Sequence, residues 1–133
     1  SFSRRQRQMC IRDRAHGVAA ALGVECGAPH GSACAALLPV ALRVNQKIAE
    51  SDLARLDQEL DGERLPTQDS AQRFIERVKD LCRIAGTPTR LSEFGLKRER
   101  ISWLAEHSGG NSMKGNPVQL SPSELQDVLE SVF

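Results

Sequence analysis

The chain has 133 residues and a mass of 14.6 kDa, with 40% hydrophobic and 26% charged residues and a net charge of +1. That is material for one domain, which excludes a large enzyme acting alone. No run approaches the roughly 18 apolar residues of a membrane span and no secretory leader opens the chain; aromatics are only 4%, too few for base-stacking platforms. A cytoplasmic protein with no membrane and no nucleic-acid partner is therefore expected.

The first fourteen residues, SFSRRQRQMCIRDR, carry five arginines against the single acid Asp13. Residues 15–133 hold 13 basic against 16 acidic side chains, a net of −3, so the two parts differ in sign. Residues 1–14 begin with Ser and are expected to be a non-native basic leader, set apart from a helical domain over 15–133.

From residue 15 onward helical spacing recurs and no window alternates like a strand, so the expected fold is all-α, a helical bundle. His16 opens a short apolar run, Gly17–Leu22, which Gly23 is expected to close. Gly31–Asn45 is apolar around nearly its whole circumference, the pattern of a helix buried on all sides, with Pro39 inside it as an expected kink at the Ala35 carbonyl. Amphipathic spacing predicts further helices at Ser51–Leu60, at about Asp69–Ala85 and at Lys97–His107. The last helix follows Ser121-Pro122-Ser123-Glu124, a cap, a first-turn proline and a capping-box glutamate, with Leu125, Val128, Leu129 and Val132 as its apolar stripe. The charge runs on these helices are expected to be solvated faces.

Four cysteines, Cys10, Cys26, Cys34 and Cys82, form no CxxC pair. Cys34 and Cys82 are read as small buried hydrophobes. His107, in the last turn of its helix, is read as a surface capping residue. The polar loop Asn111–Pro117 is read as a connector, and Gly109-Gly110 lacks the spacing of a dinucleotide-binding turn.

His16 and His30 stand at the two ends of a turn in which the chain crosses Val24-Glu25-Cys26-Gly27-Ala28 to reach Pro29-His30-Gly31, and Pro29 turns Ala28 out of helical geometry. They can therefore converge from separate elements on a shared metal. Two imidazoles do not complete a site, because zinc and iron centres take at least three protein ligands. Spacing alone leaves capping and ligation both open.

The surrounding residues carry a resemblance. His16-Gly17, Ala19, Leu22-Gly23, Pro29-His30-Gly31, Ala35, Leu37-Leu38-Pro39 and Asn45 fit the pattern HG-x-A…LG…PHG…A-x-LLP…N. This run resembles the helical C-terminal domain of the iron-containing, group III alcohol dehydrogenases. Phe74-Ile75-Glu76, Gly86–Gly95 and Asn111–Pro117 are similar to later segments, so the likeness covers about residues 15–133.

The resemblance implies that His16 and His30 are the last two of four ligands to Fe²⁺, or sometimes Zn²⁺, the others being an Asp and a His on a preceding helix. It also implies hydride exchange between an alcohol or aldehyde and NAD(P), with the nucleotide bound mainly by an N-terminal domain upstream of residue 15. The fragment alone is expected to be inactive, and a homo-oligomer is left open for the full-length parent. Ala20 stands where many members have a second histidine, so a proton-relay role at that position is in doubt. Two alternatives from other classes remain: a helical interaction or assembly module, and half of a dehydroquinate synthase-like metal-dependent lyase.

Overall fold

The computed structural model describes residues 4–108 and 120–133, and for residues 4–14 and 61 the backbone alone. Six α-helices stand among the described residues: α1 Arg4–Cys26, α2 His30–Val44, α3 Gln46–Asp61, α4 Thr67–Ile84, α5 Ile101–His107 and α6 Pro122–Glu130. Two 3₁₀ turns, Leu91–Phe94 and Arg98–Arg100, lie between α4 and α5. No strand occurs among the described residues, and the expected all-α bundle is the architecture found. The sequence-based readings of Gly109-Gly110 and Asn111–Pro117 lie outside the described residues.

The all-round apolar helix is central, as its composition predicts. α2 sends Ala33, Leu37, Val40 and Ala41 into a core shared with Ala15, Val18, Ala19 and Leu22 of α1, Leu104 of α5 and Leu129 of α6. Its Leu42 joins a second core, with Leu53 of α3 and Ala71 and Ile75 of α4. An α-helix with two buried faces must be apolar on both, which is why no polar stripe interrupts it. Each leucine buried there contributes roughly 1.5–3 kcal/mol relative to exposure.

Pro39 lies inside α2 without ending it. Its ring leaves the Ala35 carbonyl without the usual helical donor, and the Cys82 thiol of α4 donates toward that oxygen at 3.7 Å. Asn45 then joins α2 to α3: its side-chain amide donates to the Ala41 carbonyl at 2.9 Å, and its own carbonyl accepts from Ile48 and Ala49.

Several boundaries differ from the sequence-based expectation. The helix carrying His16 does not begin there or stop at Gly23; it runs from Arg4 to Cys26, and the chain turns at Gly27, whose φ is +66°. An interior glycine lowers helix propensity without removing a hydrogen bond, so packing overrides it. α3 starts five residues earlier than predicted, directly after Asn45. Lys97–His107 begins as a 3₁₀ turn and becomes α-helical only at Ile101. On α4, Leu81 is exposed at the end of the apolar stripe, and the helix stops at Ile84, leaving the predicted last residue Ala85 exposed just beyond it.

The C-terminal residues fold back onto the first 3₁₀ turn. Leu91 N–H donates to the Val132 carbonyl at 2.9 Å, and the Ser92 hydroxyl donates to the Phe133 carbonyl at 2.7 Å. α6 is thereby held against the core that backs α1 and α2.

Candidate metal centre

His16 projects from the middle of α1 and His30 is the first residue of α2. Ten residues of helix separate His16 from Cys26, about 15 Å of rise, so the imidazoles meet only if the link doubles back. Gly27 makes that reversal in the left-handed region, its N–H donating to the Gly23 carbonyl at 2.9 Å. Ala28 then passes alongside Gly23, with its carbonyl oxygen 3.6 Å from where a Cβ on Gly23 would stand. Pro29, at φ −59° and ψ 131°, is extended and delivers its carbonyl to Ala33 N–H, which starts α2.

The outcome is close. His30 Nε2 lies 3.1 Å from His16 Nδ1, with ring centroids 4.5 Å apart and planes at 75°. Both rings are exposed, while Ala15, Gly17, Val18 and Ala19 around His16 are buried. The rings therefore stand on a packed base and open toward solvent. Cys34, one helical turn beyond His30, is half-buried and brings its Sγ to 3.5 Å from His30 Nε2.

Two imidazole nitrogens at this separation share a proton or share a cation. In a tetrahedral zinc site, Zn–N bonds of 2.0–2.1 Å place adjacent nitrogens about 3.3 Å apart. The observed 3.1 Å is within a few tenths of that edge. Neutral imidazoles also suit Zn²⁺ and Fe²⁺ chemically, so the donor set fits a divalent metal. A pair of ligands leaves positions free for further donors and for a substrate oxygen.

Of the remaining sequence-predicted positions, Ala20 is exposed on α1 one turn after His16 and offers no polar group. His107 stays away from this cluster; its Nδ1 lies 2.9 Å from the Trp103 carbonyl and its ring stacks on Trp103 at 4.3 Å, consistent with the expected role at a helix end. Cys34 is not the buried hydrophobe expected: it packs partly on the core but turns its sulfur to His30. The signal was present as the i, i+4 spacing from His30, which puts both on one helix face. Burial pushes the thiol pKa of Cys34 up, and that of Cys26 also, there aided by the charge of Glu25.

Behind the site, Glu25 near the end of α1 accepts from Arg100 through both carboxylate oxygens, at 2.6 and 3.0 Å. The Arg100 guanidinium also lies 4.9 Å over the Trp103 ring. These contacts tie the end of α1 to the turn before α5.

The chain is similar to known proteins over most of its length. The model of the family described as "Fe-containing alcohol dehydrogenase family, C-terminal" matches residues 10–133. The chain is 26% identical over 123 residues to an NADPH-dependent butanol dehydrogenase of Clostridium saccharobutylicum, covering 89% of this chain and 32% of that protein. It is 31% identical over 119 residues to lactaldehyde reductase of Escherichia coli (strain K12), covering 86% and 30%. It is 32% identical over 123 residues to 1,3-propanediol dehydrogenase of Klebsiella pneumoniae, covering 89% and 31%. Among solved structures, a 1,3-propanediol oxidoreductase superposes with a TM-score of 0.82 at 29% identity, over 90% of this chain and 32% of that one. The alcohol dehydrogenase from Oenococcus oeni gives 0.76 at the same identity and the same shares. The chain spans about a third of the length of the curated relatives it matches. It belongs to the iron-containing alcohol dehydrogenase family, as the C-terminal part.

Proposed function

We propose that, as a member of this family, the chain is the helical metal-binding part of an NAD(P)-linked alcohol dehydrogenase that interconverts small alcohols and aldehydes in the cytoplasm. His16 and His30 are two of the ligands to Fe²⁺ or Zn²⁺. The observation that carries the reading is the 3.1 Å approach of their nitrogens from two helices, within the segment matched to the family. The relatives' names, a butanol dehydrogenase, a lactaldehyde reductase and 1,3-propanediol dehydrogenases, support short-chain alcohols and aldehydes as the substrate class.

Held by His16 and His30, a divalent metal would supply Lewis-acid polarisation of a substrate oxygen for hydride exchange with a nicotinamide. The chain's own residues position that chemistry. His16 and His30 ligate as neutral imidazoles, and the buried Ala19, Leu22 and Ala33 behind them leave the two helices no freedom to separate. The Glu25–Arg100 pair holds the end of α1 in place. Ala20 beside His16 can neither hold nor move a proton, so any proton relay runs through other groups. The domain is assigned to residues 15–133, and the nucleotide-binding domain, with an Asp and a His ligand, to sequence upstream of it in a longer parent.

Titration of the purified chain with Zn²⁺, and anaerobically with Fe²⁺, tests this reading. One ion per chain is expected, with His16→Ala and His30→Ala each weakening it at least about tenfold. Binding that is unchanged in both variants overturns the assignment. The chain alone, given butanol, NAD⁺ and Fe²⁺, is expected to show no turnover, and turnover would overturn the placement of the other ligands and the nucleotide site upstream.

A further inference from the structure

A cavity of about 210 Å³ opens between α2, α4, residues 89–90 and the chain end after α6, with no residue of α1 in its wall. Along α2, Ala36, Val40 and Arg43 follow one another at helical spacing, and along α4 Ile75 and Lys79 do the same, so each helix gives the space an apolar floor and a basic rim. Arg90, just before the first 3₁₀ turn, adds a third cation. Arg43 lies thirteen residues beyond His30 on α2, about 20 Å along the helix, which separates the cavity from the imidazole pair.

The three cations are held in place without being neutralised. Among the described residues, none of Arg43, Lys79 and Arg90 makes a salt bridge. Arg43 Nη2 donates to the Ser131 hydroxyl at 3.3 Å, and that hydroxyl donates in turn to the Val128 carbonyl, which orients the guanidinium and leaves its charge intact. The carboxylate in the wall, Glu76, accepts from Gln72 of its own helix at 3.2 Å. Glu93 accepts the N–H groups of Thr89 and Arg90, each at 2.8 Å, and so pins the segment that carries the third cation. Three cations against one carboxylate, around a low-dielectric floor, make a positive focus that an anion relieves.

We infer that this cavity binds a phosphate group, either free or as the monoester of a short carbon chain. Guanidinium forks match the oxygen edges of phosphate, and two of them with an ammonium, placed on three elements, suit a tetrahedral dianion better than a planar monocarboxylate. The volume is below the roughly 300–1,000 Å³ of sites for drug-sized ligands, which suits a small ligand rather than a dinucleotide. The site uses neither the metal nor the nicotinamide, so it stands apart from the dehydrogenase reading.

The test is isothermal titration of the metal-free 133-residue chain with inorganic phosphate and with glycerol phosphate, at constant ionic strength. Saturable binding of one phosphate per chain is expected. Lys79→Gln and Arg90→Gln, checked for unchanged helicity, are each expected to weaken it at least about fivefold, while Lys97→Gln, an equal loss of charge at an exposed position outside the cavity, changes it less than about twofold. Tighter binding of glycerol phosphate assigns the apolar floor to a carbon chain, and equal binding assigns the site to free phosphate. Absence of saturable binding overturns the inference, as does an equal loss in all three variants, which would reduce the effect to net charge. Butyrate binding as tightly as phosphate overturns the ligand class. Phosphate binding is expected to persist in His16→Ala/His30→Ala, and its loss there would overturn a site separate from the imidazole pair.

Discussion

Asp57 is a fully buried carboxylate on α3, and Arg73 of α4 reaches it with Nε at 2.9 and 3.1 Å and with Nη2 at 2.7 Å. The sequence placed both on solvated faces, because a one-dimensional pattern does not show which charged position of one helix faces the next. Removing the guanidinium strands a buried anion, so Arg73→Met is expected to destabilise the chain by about 3 kcal/mol or more. A urea midpoint equal to that of the wild type would refute this. Glu25 and Glu93 carry the acid dependence. Hydrogen bonds from Arg100 hold Glu25 below the ordinary glutamate value of 4.5 against the opposing effect of burial, and its charge adds to them. For Glu93, the N–H groups of Thr89 and Arg90, each 2.8 Å from Oε2, do the same. A carboxyl group with a lowered folded-state pKa stabilises the fold above its unfolded value and loses that contribution as pH falls through the folded one. Stability is expected to be flat above about pH 5 and to fall below it, with a shallower fall in Glu93→Gln; an identical acid profile in that variant would contradict this origin.

At the scale of elements, two glycines of one segment have opposite meanings. Gly27 needs its φ of +66° to reverse the chain toward His16, and a side chain there is strained. Gly27→Ala is expected to cost about 1 kcal/mol. Gly23 is helical, and a methyl on it would meet the Ala28 carbonyl at an ordinary 3.6 Å. Gly23→Ala is therefore expected to be neutral or stabilising by up to about 1 kcal/mol. Thermal unfolding of the two variants compares them directly, and equal destabilisation by both would refute the distinction. The α6 cap was legible: the Ser121 hydroxyl accepts from Glu124 N–H at 3.1 Å, although the Glu124 carboxylate accepts from the Ser121 hydroxyl rather than closing the expected capping box. Caps are local, so a short sequence window contains all their partners. The lower boundaries of α1 and α3 were not legible, because long-range packing decides whether a marginal stretch stays helical.

For the whole molecule, the site joins two helices that meet only in the folded state, so a metal held by His16 and His30 stabilises the fold by linkage. At a free Zn²⁺ concentration one hundred times the dissociation constant the expected gain is about 2.7 kcal/mol. It should vanish in His16→Ala/His30→Ala; a thermal shift that persists there would place the metal elsewhere. Val24 is 80% exposed, and with the exposed His16 and Ala20 it lies on the open face of α1. The candidate site therefore looks outward from the bundle.

The helical class, the central buried helix with its internal proline and the cap of the last helix were all legible in the chain. Each of these rests on periodicity or on residues near one another in the chain, where local sterics and hydrogen bonding suffice. Packing settled what the chain did not show: that α1 runs on to Cys26, that the His16 and His30 rings meet, that Asp57 is buried against Arg73, and that Cys34 turns its sulfur to His30. Those outcomes depend on which helix faces meet, and that is settled by the packing of two cores around α2.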